Sequence, residues 1–129
     1  MLPEHAFQPR GLIANAHVQS LMTSGPWRKR VVTQRAQGYV ERSQPEVWRA
    51  DDGTRLLGYR NRPVAGQASG SRHGQALVIL IHGWEGSANS NYLLSAADTL
   101  DQAGLATFRL NLRDHGESHH LNVGLFHSC

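Results

Sequence analysis

Two short stretches of this chain concentrate groups able to do chemistry. His82-Gly83-Trp84-Glu85-Gly86 places an imidazole and a carboxylate on a backbone that two glycines free to turn sharply. Such a turn can aim N–H groups at one point. Each backbone donor so aimed can stabilise a developing negative charge by about 3–4 kcal/mol. The second stretch, Arg113-Asp114-His115-Gly116-Glu117-Ser118-His119-His120, is equally rich in Gly and His. With His127 it crowds Asp114, His115, Glu117, His119 and His120 into fourteen positions, and imidazoles with carboxylates bind zinc well. Their spacing fits no ligand motif, and histidines of a polar loop are usually solvated. No metal and no other cofactor is expected.

Positioning these stretches is the task of the elements around them. Ala76-Leu77-Val78-Ile79-Leu80-Ile81 is an unbroken apolar run rich in β-branched residues, the composition of a strand covered on both faces, as in a parallel sheet. From Ser90 to Ala103, Leu93, Leu94, Ala97, Leu100 and Ala103 recur at three- and four-residue spacing, which predicts a helix with one apolar stripe. Ser90 is its expected N-cap and Gly104 its stop. Leu105 to Leu112 alternates apolar and polar residues, a strand with one less covered face. Strand, glycine turn, helix and strand form a βαβ unit whose two loops meet at the carboxyl edge of the sheet, where ligands sit in open α/β sheets.

Upstream, residues 46–50 and 55–60 alternate around Asp51-Asp52-Gly53-Thr54, and Asp-Gly between strand-like runs predicts an antiparallel hairpin. Residues 61–75 read as a surface connection. Residues 1–30 read as irregular, with a short helix near Ile13–Met22 that Gly25-Pro26 ends. Trp27 before Arg28-Lys29-Arg30 admits a membrane-surface patch, but a tryptophan packed under the body with its charged neighbours in water is the commoner arrangement and is expected here.

The 129 residues suit one domain, and an apolar share of 40% supports a modest core. One cysteine, Cys129, excludes an internal disulfide framework. No signal peptide and no membrane-spanning window is evident, so a cytoplasmic location is expected. Residues 1–75 carry 11 Lys/Arg against 5 Asp/Glu, and residues 76–129 carry 2 against 5. The arginines of the basic half are scattered and accompanied by no nucleic-acid motif, so a solvated surface is expected instead of a nucleic-acid partner. A dinucleotide site is excluded because no Gly-x-Gly-x-x-Gly follows the first strand of the βαβ unit.

The loop after residues 76–81 resembles the oxyanion-hole loop of α/β-hydrolases. Asn111-Leu112-Arg113-Asp114-His115-Gly116-Glu117-Ser118 resembles the next strand and loop of that superfamily, which often reads Arg-Gly-His-Gly-x-Ser. Phe7-Gln8-Pro9 and Asn15-Ala16-His17-Val18-Gln19-Ser20-Leu21 are similar to the start of its YheT-type branch of esterase-like hydrolases. The resemblance implies an α/β fold, the N-terminal portion of an α/β-hydrolase, with an antiparallel hairpin followed by a βαβ unit of a mostly parallel sheet. It implies an N-terminal extension over 1–45 and an incomplete hydrolase core over 46–129. It makes His82, Gly83, Trp84 and Glu85 the oxyanion-hole and pocket residues. The Trp84 amide is then the donor, its side chain lines the pocket, and His82 orders the loop. Asp114, His115 and Gly116 lie at the same edge, and Asp114 stands where the family has glycine.

The nucleophile elbow Gly-x-Ser-x-Gly is not found in the sequence; Gly116-Glu117-Ser118-His119-His120 comes nearest but lacks the final glycine. Nucleophile, acid and base are therefore expected beyond Cys129, with a small ester-like substrate in the complete protein and no catalysis by this chain alone. In the resembled fold the elbow strand flanks residues 76–81. An open apolar edge there is expected to favour self-association. The alternative is a non-catalytic binding module with a basic N-terminal surface.

Overall fold

A computed structural model describes residues 9–63 and 76–123. Packing divides the chain into two units, Met1–Val31 and Val32–Cys129.

In the first unit a single 3-10 turn, Gly11–Ala14, leads into helix α1, Ala16–Ser24. Asn15 caps α1 by accepting the His17 N–H at 2.9 Å. The Gly25 N–H closes its far end on the Leu21 carbonyl at 2.8 Å. Gly25-Pro26 ends this helix, as the sequence predicts, but the chain does not then become irregular. Pro26 is the first residue of a second helix, α2, Pro26–Arg35. Proline suits that position, because its missing N–H would have no helical partner there and its ring presets φ. The sequence reading treated this proline only as a terminator and so missed α2.

In the second unit α2 is followed by the short helix α3, Gln37–Glu41, and by the hairpin of β1, Gln44–Arg49, and β2, Arg55–Asn61. These strands pair antiparallel. Their turn is the Asp-Gly turn expected: Gly53 has φ 84°, and Asp52 Oδ1 accepts the Thr54 N–H at 2.8 Å. Strand β3, Leu77–Ile81, helix α4, Asn91–Gln102, and strand β4, Ala106–Leu110, form the βαβ unit. Gly104, at φ 80°, stops α4 as expected, its N–H closing on the Asp101 carbonyl at 2.9 Å.

The sheet order is β1-β2-β4-β3. β3 and β4 run parallel, with Ile79 opposite Phe108, whereas β2 and β4 are antiparallel. One of three pairings is thus parallel, so the described sheet is mixed instead of mostly parallel. β3 is its edge strand. The composition of β3 predicts cover on both faces, but Leu77, Ile79 and Ile81 are 37%, 47% and 54% exposed.

β4 departs from its reading in the opposite sense. Its alternation predicts a less covered face, yet Thr107, Phe108, Arg109 and Leu110 are all buried. On one face Phe108 stacks on Trp48 with ring centroids 4.1 Å apart. A Cβ on Gly58 would meet that Phe108 ring at 2.2 Å, so only glycine fits there. On the other face Thr107 hydrogen-bonds the Tyr39 hydroxyl at 2.8 Å, and Arg109 is held among neutral acceptors. Val32, Ala36 and Leu94 form an apolar cluster beside them. Asp98 and Asp101 of α4 pair with Arg35 and Arg42. Burial pushes the Asp101 carboxyl above its ordinary value of 3.8 despite Arg42 beside it.

Candidate functional site

β3 and β4 are parallel, so the loops that follow them leave the sheet at the same edge. The first is a tight turn. The Gly86 N–H closes on the Gly83 carbonyl at 3.0 Å, with Trp84 and Glu85 at the centre. Glu85 has φ 54°. Positive φ at the second central residue only is the type II pattern, in which glycine is preferred. The residue that bends this loop is therefore Glu85 and neither of its glycines. Gly86 serves close packing instead: a Cβ there would lie 3.0 Å from both the Gly83 carbonyl oxygen and the His82 Cβ.

His82 is 4% exposed and anchors the turn from below. Its Nε2 accepts the Leu112 N–H at 3.1 Å, and its Nδ1 lies 2.8 Å from the Gly83 carbonyl oxygen. These partners assign the proton to Nδ1, with Nε2 as acceptor. Both nitrogens are engaged, and one imidazole ties the end of β3 to the end of β4. Beyond it, the Gly83 N–H donates to the Tyr92 hydroxyl at 2.6 Å, fixing the turn to the first turn of α4. The Trp84 side chain is 82% exposed and faces solvent; it is not walled into a pocket.

The second loop is laced to the first. Asn111, 1% exposed, accepts the Ala88 N–H on Oδ1 at 2.7 Å. Gly116, at φ 59°, crosses so close that a Cβ would lie 2.7 Å from that same Asn111 oxygen. The His115 ring lies 5.0 Å from the His82 ring. Asp114 has φ 60°, a left-handed conformation that aspartate tolerates better than most residues. The position where the resembled family has glycine is thus one whose backbone asks for it. The Asp114 carboxylate bonds His119 Nδ1 at 2.7 Å. Ser118 is buried, and its Oγ donates to the His115 carbonyl at 2.7 Å, closing a turn. Glu117 accepts the Tyr59 hydroxyl of β2. Burial, with Glu117 alongside, pushes that phenol up to about 12.

His82, Gly83, Trp84, Glu85, Asp114, His115 and Gly116 therefore share one edge of the sheet. Among the described residues no group of three or more His, Cys, Asp or Glu is placed to hold a metal ion. Of the six considered for that role, His127 lies outside the described residues. Phe7, Gln8, Cys129 and most of the connection 61–75 also lie outside them.

Arg109 is the loop-supporting residue that sequence reasoning missed. It is completely buried. Nη1 donates to the Ala88 carbonyl at 2.7 Å and to Asn89 Oδ1 at 3.0 Å. Nη2 donates to Ser43 Oγ at 2.9 Å, and Nε to the Tyr39 hydroxyl at 3.2 Å. Its guanidinium also lies over the Tyr39 and Tyr59 rings, 5.1 and 5.2 Å from their centroids. One side chain thus holds the base of the first loop from beneath. An arginine within the alternating run 105–112 is the sequence signal for it.

No protein-family model matches the chain, and no curated protein matches it.

Proposed function

We propose that this edge is the oxyanion side of an acyl-transfer site of the α/β-hydrolase type, acting on a small ester-like or amide substrate. The observation that carries the reading is the His82 bridge. A type II turn stands at the carboxyl end of a parallel strand, and an imidazole with both nitrogens committed locks it to the neighbouring strand's end. A donor that must not reorganise during reaction needs such pre-set support. On this reading His82 is a positioning residue, Trp84 contributes its amide as the donor, and Glu85 sets the turn. Asp114, His115 and Gly116 brace it from the second loop. On this reading none of these is a nucleophile.

The test is an amide-resolved NMR titration with a soluble alkylphosphonate, a tetrahedral anion that stands in for the charged intermediate. Shifts confined to residues 82–87 and 112–117 are expected, together with no turnover of a nitrophenyl ester. Shifts elsewhere would overturn the assignment.

A second reading, a binding module with a basic N-terminal surface, is favoured by the exposure of Trp27. Self-association through the outer edge of β3 fits this reading, because among the described residues that edge pairs with no strand and carries neither lysine nor proline to discourage pairing.

A further inference from the structure

The first unit presents an apolar surface that the sequence reading expected to be covered. Trp27, which the sequence reading expected to be packed, is 78% exposed. Leu12, Leu21 and Met22 are 85%, 72% and 59% exposed. Val18, Leu21, Met22, Gly25, Pro26 and Trp27 line a shallow cavity of about 330 Å³ where α1 turns into α2. The turn is tight. A Cβ on Gly25 would lie 2.5 Å from the Leu21 carbonyl oxygen, so only glycine fits at the junction.

Charge surrounds this patch on one side of the scale only. Residues 9–31 contain Arg10, Arg28, Lys29 and Arg30 and no aspartate or glutamate. On α2, Trp27 and Val31 lie one turn apart, with the exposed Arg28 and Arg30 to either side of that stripe. An indole and aliphatic tips inside a rim of cations match a surface that is anionic outside and hydrocarbon beneath. We infer that the α1–α2 junction docks on an anionic lipid bilayer surface, with Trp27, Leu21 and Met22 entering the headgroup boundary and Arg28 and Arg30 facing the lipid phosphates. A polynucleotide would satisfy the cations but leave Leu12, Leu21 and Met22 in water. A second copy would bring two cationic rims face to face, which is repulsive. No helix among the described residues is long and apolar enough to cross a membrane, so the contact is peripheral. This inference is independent of the acyl-transfer reading.

The experiment is co-sedimentation of the full chain with vesicles of neutral phosphatidylcholine, and with vesicles containing about a third phosphatidylserine, at low and high salt. Each basic residue near an anionic surface contributes roughly fivefold, so the two that flank the stripe predict a ~25-fold preference for the anionic vesicles that high salt removes. Arg28→Glu/Lys29→Glu/Arg30→Glu brings the anionic partition down to the neutral value, and Trp27→Ala weakens both. All four side chains are exposed, so circular dichroism of the variants stays unchanged. A readout without the charge variant is quenching by brominated lipid, expected for the native chain and reduced in Trp27→Phe. Equal binding to both vesicle types, or no binding, overturns the inference. So does a concentration-dependent dimer that Trp27→Ala abolishes in a chain that ignores vesicles.

Discussion

Replacing Arg109 by methionine tests whether the first loop is held from below. The cost follows from which of its partners are left without an alternative. Four hydrogen bonds disappear. Tyr39 keeps Thr107, Ser43 keeps Asn61, and Asn89 is exposed and can turn to water. Only the Ala88 carbonyl, on a residue 0% exposed, loses a partner that water cannot easily replace. One buried orphaned acceptor costs about 1–3 kcal/mol. Against this, the variant no longer carries a buried cation with no carboxylate among these partners, and removing that desolvation offsets part of the loss. Methionine refills most of the volume, so Arg109→Met is expected to lose about 1–3 kcal/mol, whereas Arg109→Ala adds a cavity and loses about 3–5 kcal/mol. Urea unfolding of both variants gives the stability difference. Hydrogen exchange locates it, with protection falling first at Ser90 and Leu94, whose amides close the loop onto α4. Two results refute the reasoning: Arg109→Met within 0.5 kcal/mol of the native chain, a threshold below the cost of about one orphaned acceptor, or a loss of protection that bypasses residues 86–94.

Other expected outcomes follow from single residues. Glu85→Gly relieves a left-handed non-glycine residue and raises stability by about 1 kcal/mol in thermal unfolding, unless the Glu85 side chain does something the backbone does not require. Tyr59 titrates from 10.0 in the unfolded chain to about 12 in the folded one, so folding favours its neutral form. That contribution is complete below pH 10 and is lost as pH rises toward 12. Tyr59→Phe should therefore flatten the alkaline limb of the stability profile in that window; an unchanged limb contradicts the assignment. Ile79→Lys places a charge on the exposed side of β3 and should abolish concentration-dependent association in sedimentation velocity, while association that persists points to another surface.

The hairpin, helix α4 and the two strands of the βαβ unit were legible because each announces itself locally: Asp-Gly needs positive φ, Leu93, Leu94 and Ala97 repeat at the helical period, and residues 76–81 carry no polar group. The convergence of His82 and His115 was legible for the same reason, since parallel neighbours must put both loops at one edge. Helix α2 was hidden because Pro26 has the same local signature whether it ends one helix or begins another. The sequence determined which residues reach the carboxyl edge and what chemistry they bring. Tertiary structure alone decided that Leu77, Ile79 and Ile81 of β3 stay partly exposed, that Arg109 is buried, and that Trp27 is exposed. Cover depends on which distant element packs above a residue, and neither hydropathy nor spacing along the chain contains that information.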